Sequence, residues 1–270
     1  MFNRGWGVLM VRNIIFLLFS YIIASHSLQI VPVERTPQPN SVIVRIAYPE
    51  NTSSNKTNPI WVQVRLQGYA LGADSQFPRA KQVANSDRGQ SLHIVVDNKP
   101  YFPVSGPGID PYDEIGDYFE DSYKFLLPFD LKEGSHTLRV YCARSFGESL
   151  KNESSFDVVN FFVGKKESGS DVDLSAPMLT YNEPSMRFFY EEGLPILLDF
   201  FLSNCELSSD GFKVKVTIDD SYSQVLTSWQ PYYIYGLKRG KHKITLELLD
   251  VDGNLSSGSY NSSTRSFIVH

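Results

Sequence analysis

The sequence predicts an all-β chain of two tandem antiparallel β-sandwiches, and three observations carry that prediction. Residues 131–163 (LKEGSHTLRVYCARSFGESLKNESSFDVVNFFV) lie over residues 237–269 (LKRGKHKITLELLDVDGNLSSGSYNSSTRSFIV) at a constant offset of 106 residues without a gap. Leu131/Leu237, Lys132/Lys238, Gly134/Gly240, His136/His242, Phe161/Phe267 and Val163/Val269 are identical pairs. A fixed internal period marks duplicated structural units. Short apolar-alternating runs, separated by turn residues every eight to twelve positions, recur along both halves, which is the pattern of sandwiches. No helical period follows the first 27 residues.

Taken in order, residues 1–27 read as an export signal. Arg4 and Arg12 form a basic start, residues 13–24 (NIIFLLFSYIIA) a short apolar core, and Ser25 and Ser27 a small-residue cleavage site. The apolar run is shorter than the roughly 20 residues a membrane span needs, so the membrane is expected to hold this chain only if the segment stays uncleaved. Domain 1 is expected over 28–164. It has a Pro-rich leader or first edge strand at 28–41, then strands at 41–49, 58–66, 91–97, 123–129, 136–143 and 156–163, with a polar turn at 50–57. Residues 165–177, charged and small and closed by Pro177, are a linker. Domain 2 is expected over 178–270, opening with a strand at 186–190 and continuing at 194–203, 212–219, 232–237, 242–249 and 265–270.

The formal net charge is −5. Removing residues 1–27 takes two arginines and no acidic residue, so the remainder carries −7. That balance argues against nucleic acid, which demands a concentrated basic surface. The two cysteines, Cys142 and Cys205, fall in separate domains, and Leu248 replaces Cys142 in the second copy. They therefore read as free thiols rather than a disulfide.

The late hairpin, in which Leu-x-x-Gly-x-His leads into an alternating strand, resembles that of immunoglobulin-like and fibronectin-type-III-like domains of exported bacterial proteins. In the second copy the strand closes on Asp250-x-Asp252-Gly253-Asn254 before a final Phe-x-Val strand. The resemblance covers both domains and implies the sandwich fold. The buried Trp and paired Cys of antibody domains are missing.

Features shared by both copies read as scaffold, so His136 and His242 are expected to share one structural role at the start of a strand. By alternation His93 and His136 point away from the apolar face that holds Cys142, so no zinc or copper set is expected from them. The first copy alone carries an acidic insertion, 103–122. Asp110, Asp113, Glu114 and Asp117 there are Ca²⁺ candidates by composition, without the spacing of an EF-hand loop. Being long and unique to one copy, it is the first candidate for a specific function. An aromatic run, Trp229, Tyr232, Tyr233 and Tyr235, offers a second candidate. Trp229, Tyr233 and Tyr235 are the candidate ligand platform, with Tyr232 on the opposite, core face. Asn51, Asn55, Asn152, Asn254 and Asn261 head Asn-x-Ser/Thr sequons in predicted turns.

No nucleophile elbow, metalloprotease helix motif or phosphate-cradling glycine loop occurs. The sequence thus points to an exported, non-enzymatic binding or structural protein of the periplasm or cell surface, without a cofactor, whose partner is a protein. The alternative is a carbohydrate-binding accessory protein using the domain 2 aromatics.

Overall fold

Sixteen strands occupy the described residues, 27–55, 58–106, 121–166 and 171–270, of the computed structural model. The first sandwich faces a three-stranded sheet against a five-stranded one. The smaller sheet has the order β2 (Ile43–Tyr48), β4 (Trp61–Gln67), β7 (Ser122–Leu126). The larger runs β3 (Ser53–Asn55), β9 (Phe156–Val163), β8 (Gly134–Ala143), β5 (Ser91–Val96), β6 (Phe102–Val104). Alternation does what period two requires: Val44, Val62, Val64 and Leu66 meet Leu92, Ile94, Leu138, Val140 and Cys142 in one core.

The second sandwich has the same plan. One sheet is ordered β1 (Gln29–Pro32), β14 (Tyr232–Tyr235), β11 (Ile196–Ser203), β10 (Met178–Glu183). The other runs β13 (Tyr222–Leu226), β12 (Lys213–Ile218), β15 (Gly240–Leu249), β16 (Ser262–Val269). Leu198, Phe200 and Ile234 pack there against Val214, Val216, Ile244, Leu246 and Phe267.

The repeat is conformational as well as sequential. Gly134 pairs with Val163 and Gly240 with Val269, and His136 faces Phe161 as His242 faces Phe267. The hairpin turns match too: Leu150 N donates to Cys142 O as Ser256 N does to Leu248 O, at 2.9 and 2.8 Å. Gly147 and Gly253, at the same offset, have φ of 86° and 83°.

Several elements depart from the sequence expectation. The leader strand β1 pairs antiparallel with β14, so it extends a sheet of the second sandwich rather than the first. The second sandwich opens at β10, residues 178–183; the expected strand at 186–190 is a connection whose Met186 and Phe189 are exposed. That run was apolar enough to suggest a strand, but the residues that pair with β11 lie just before it. The turn at 50–57 contains β3, which adds parallel to β9, and β13 answers β12 as a hairpin unrecognised in the sequence. No helix among the described residues is long and apolar enough to cross a membrane. The proposed signal at 1–27 lies, except for Ser27, outside the described residues.

The two sandwiches meet through the outward faces of β5/β8 and β10/β11. Every residue of β5 and β10, and all of β11 except Ser203, is buried, because these strands have a sandwich core on one side and the other domain on the opposite side. Val95, Tyr101, Tyr141 and Phe201 form an apolar cluster in that interface, with Val83, Phe146, Leu197 and Tyr233 forming a second.

Candidate functional site

Outward-facing positions of a half-exposed sheet are ordinarily polar, and between the two apolar clusters several of those that meet here are polar. Burying them requires every donor and acceptor to find a partner. Asn182 on β10 shows how this is met. Its amide donates to Gly147 O at 2.5 Å and to Asp199 Oδ2 at 2.7 Å; its Oδ1 accepts from Tyr141 OH at 3.0 Å and faces His93 Nδ1 at 2.7 Å. All four hydrogen-bonding capacities of the amide are used, which places the His93 proton on Nδ1.

Asp199 on β11 forms the other half of the seam. Its Oδ1 receives Lys151 Nζ at 2.5 Å, and its Oδ2 receives Ser149 N and Oγ at 3.1 and 2.6 Å. Both side chains of the Lys151–Asp199 pair are 0% exposed. Lys151 spends its remaining donors on Ser149 Oγ at 2.6 Å and Phe200 O at 3.1 Å. Burial pulls the ammonium below the usual lysine range while Asp199 pulls it back.

Ser149 and Lys151 belong to the β8–β9 connection, 144–155. In the equivalent connection of the second copy the turn at 251–255, with Asp252 and Asn254, is exposed, and Asp250 is half-buried. One hairpin geometry thus serves two purposes, and the residues that differ decide which. Gly147 needs its positive φ, and a Cβ there would stand 2.8 Å from Glu183 Cγ; at Gly253 a Cβ would meet nothing within 4 Å. The leader straps the same connection. Thr36 N and Oγ1 donate to Glu148 Oε1 at 2.8 and 3.1 Å, Arg79 pairs with Glu148, and Lys151 N donates to Gln38 Oε1 at 2.8 Å.

Beside the seam lies a second carboxyl, Glu183, bonded by Tyr101 OH and, at 2.9 Å, by Tyr190 OH. Burial raises Glu183 to about 7, against the effect of those hydroxyls. Burial also lowers His93 to about 3, with a smaller contribution from the Arg187 charge. The His93 ring stacks on Tyr101 at 3.7 Å and 8°. This stack stands at the inner end of a 530 Å³ cleft that Arg88, Arg144, Arg187, Met186 and Phe189 also line.

The candidate ligand residues are separated by this arrangement. Trp229 lines a 910 Å³ groove on the other side of the interface with Arg35, Phe156 and Cys205. Its Nε1 donates to Phe200 O at 3.0 Å, and the cations of Arg35 and Lys151 lie 5.5 and 5.8 Å from its ring centroid. Tyr233 is buried beneath residues 79–83: its OH donates to Gln82 Oε1 at 2.9 Å and accepts from Arg79 Nε at 3.1 Å. Tyr235 packs edge-on to Tyr233, while Tyr232 faces the core as alternation requires. The three do not form one open platform, because the first sandwich covers part of the strand that carries them.

His136 and His242 do share one role. Each places Nδ1 against an aspartate, Asp97 at 2.9 Å or Asp219 at 2.7 Å, and Nε2 against the carbonyl of Lys132 or Lys238, at 2.8 and 2.7 Å. The Asp97 bond raises His136 above the ordinary histidine value. Cys142 is buried and Cys205 half-buried, both free. The Ca²⁺ candidates Asp110, Asp113, Glu114 and Asp117 lie outside the described residues. Among the described residues no group of three or more His, Cys, Asp or Glu is placed to hold a metal. Of the sequon asparagines, Asn55 and Asn261 are buried, Asn261 donating to Pro177 O and accepting from Leu179 N, both at 3.0 Å. Asn51 and Asn254 are exposed and Asn152 half-buried. Being in or near a turn did not decide their exposure, because the neighbouring strand and the Pro177 segment cover two of them.

Sequence reasoning did not find the seam. Its signal was present: Asp199 interrupts the apolar run Ile196–Ser203, and His93 interrupts Ser91–Val96. A charged or polar residue in a strand with both faces apolar demands a partner from elsewhere.

The chain matches no protein family and no curated protein sequence. Solved structures similar to it include the fibronectin(III)-like modules of Clostridium thermocellum CbhA, at 12% identity and TM-score 0.28, covering 84% of this chain and 94% of that one. A Bacteroides ovatus mixed-linkage glucan utilization locus protein, SGBP-B, in complex with a mixed-linkage heptasaccharide, matches at 12% identity and TM-score 0.21, over 84% of this chain and 47% of that one. Dpr2 Ig1-Ig2, in complex with DIP-Theta, matches at 8% identity and TM-score 0.22, over 84% and 99%. The resemblance is one of fold, to fibronectin-type-III-like and immunoglobulin-like modules, and identities this low bear on nothing else.

Proposed function

We propose that this chain is an exported, non-enzymatic binding module of the periplasm or cell surface whose two sandwiches act as one rigid body toward a protein partner. The observation that supports this reading is the buried seam of Asn182, Asp199, Lys151 and His93 between the domains. A linker alone leaves tandem sandwiches free to reorient. Here, reorientation would expose a dry ion pair and a fully bonded amide, so the angle between the domains is held. A fixed angle lets loops from both domains form one surface at little ordering cost on binding. The glycan alternative has weaker support, since the Trp229 N–H is occupied and Tyr233 is covered.

Nitrogen-15 relaxation on the chain without residues 1–27 tests the rigidity, with one correlation time expected for both sandwiches. Incubation with generic ester, glycoside and peptide substrates is expected to give no turnover above buffer. Independent tumbling of the two halves, or enzyme-dependent turnover, overturns the proposal.

A further inference from the structure

The cleft between the 85–89 loop and the 184–195 connection has a charge opposite to that of the chain. The whole sequence carries −5, yet Arg88, Arg144 and Arg187 line this one cleft, and Asp87 is the single carboxylate among its described lining residues. None of the three arginines forms an ion pair with a described residue. Arg144 is buried at 7% exposure and bonds only neutral oxygens, Gln90 Oε1 at 2.9 Å and Pro37 O at 2.7 Å. The Arg144 guanidinium is taken up by Gln90, Pro37 and the Tyr69 and Phe77 rings, none of which lines the cleft. It is therefore the exposed Arg88 and Arg187, with Asp87 alone beside them, that leave a positive potential an anion would relieve.

Arg187 is also held in place. Its Nε donates to Tyr101 O at 3.0 Å and its guanidinium carbon lies 5.5 Å from the Tyr101 ring centroid. Tyr101 is itself fixed by Glu183 and by the His93 stack. Bonding through Nε leaves the two terminal nitrogens without a described partner. That is the fork which accepts a carboxylate, already oriented before any ligand arrives. Beside it stand Met186 at 63% and Phe189 at 62% exposure, two of the most exposed large apolar side chains among the described residues. Paired in this way, they describe a ligand with a carboxylate and an apolar side chain close together.

We infer that this cleft binds an acidic, aromatic-bearing peptide segment of the partner protein, with Arg187 and Arg88 taking its carboxylates and Met186 and Phe189 its ring. This rests on the protein-binding reading above and specifies the surface that serves it. A polyanion would meet repulsion from the rest of an acidic chain; a peptide with one or two carboxylates fits within the cleft.

The probe is the peptide Ac-Glu-Phe-Glu-NH2, titrated into the chain while the arginine Nε–H and backbone amide resonances are followed by NMR. Saturable shifts at Arg187 and Phe189 are expected. The Arg88→Gln/Arg187→Gln variant is expected to bind roughly tenfold or more weakly, as is the control peptide Ac-Gln-Phe-Gln-NH2 against the unaltered chain. Both positions are exposed, so an unchanged Tm confirms that the variant is folded. The inference is overturned by absent shifts at about 5 mM peptide, by equal binding of the glutamine peptide, or by full retention in the variant. Saturation by a glucuronic-acid oligosaccharide in place of the peptide also overturns it. A single correlation time with no peptide binding would sink the cleft assignment and leave the rigid-module reading intact.

Discussion

Replacing Lys151 by methionine removes one half of a fully buried ion pair while keeping the aliphatic stem that packs near Trp229. In the intact chain Asp199 Oδ1 receives Lys151 Nζ at 2.5 Å; its Oδ2 keeps Ser149 and Asn182 regardless. The variant therefore strands a charged oxygen at 0% exposure, and Phe200 O and Ser149 Oγ lose a donor as well. Losing one partner of a buried pair costs about 3–5 kcal/mol. With a urea dependence of about 3 kcal/mol per molar for a chain of this size, the midpoint falls by roughly 1–1.7 M. Trp229 fluorescence reports the interface directly, since its indole packs against Phe201 at 5.1 Å, and far-UV circular dichroism reports the sheets. The control is Lys238→Met, whose partner Glu192 lies 3.8 Å away with the side chains 67% and 43% exposed. That change is expected to stay within about 0.5 kcal/mol, as exposed pairs do. A double variant, Lys151→Met/Asp199→Asn, removes both charges and is expected to recover part of the loss. A midpoint shift below about 0.3 M for Lys151→Met would refute the reasoning, because it would mean that the pair is solvated and the seam is not dry.

Other expectations follow from the same interface. Gly147→Ala and Gly253→Ala impose the same positive-φ strain, of order 1 kcal/mol, but only the first drives a Cβ into Glu183 at 2.8 Å. Urea midpoints should fall distinctly further for Gly147→Ala, and equal losses would contradict the packing described. His93 and Glu183 titrate in opposite senses. His93, lowered to about 3, favours folding above about pH 6.5 and costs stability as pH falls from there toward its folded value. Glu183, raised to about 7, costs stability as pH rises from about 4.5 to 7. The two nearly cancel across that window. Thermal melts of His93→Gln should therefore gain stability on acidification from pH 7 to 4.5, and those of Glu183→Gln should lose it; parallel pH profiles would exclude the opposition. For His136, whose folded value is raised by Asp97, the contribution is complete below about pH 6.5 and lost as pH rises through the folded value. A proton NMR titration giving His136 a midpoint at or below about 6.5 would contradict that bond.

The candidate site divides by the range of the forces involved. Cys142 was legible as a core thiol because Leu248 occupies the same place one repeat later, and substitution by leucine identifies an apolar environment. The histidine pair was legible for the same reason. Alternation divides Tyr233 and Tyr235 from Tyr232 as the structure does, yet it says nothing about what covers the outward face, and here residues 79–83 cover Tyr233. The sequence pattern places Arg187 and Phe189 in a strand. Their local pattern allowed it, and only pairing with β11 shows that Met178–Glu183 takes that place.

By itself, the sequence determined the all-β class and the duplicated hairpin. It determined most of the core as well, because period-two alternation and turn chemistry are short-range and survive without knowledge of the neighbours. Tertiary structure alone decided that β1 joins the sheet of the distant sandwich. It also decided that the outward residues Asp199, Asn182 and His93 meet Lys151 in a buried seam, and that Arg88 and Arg187, with no ion-pair partner among the described residues, line one cleft. Those contacts join residues far apart in the chain, such as Ser149 with Asp199, across an interface between two folded bodies. Nothing in the local pattern records which outward face meets which. That choice is made by burial and hydrogen-bond satisfaction summed over the whole interface.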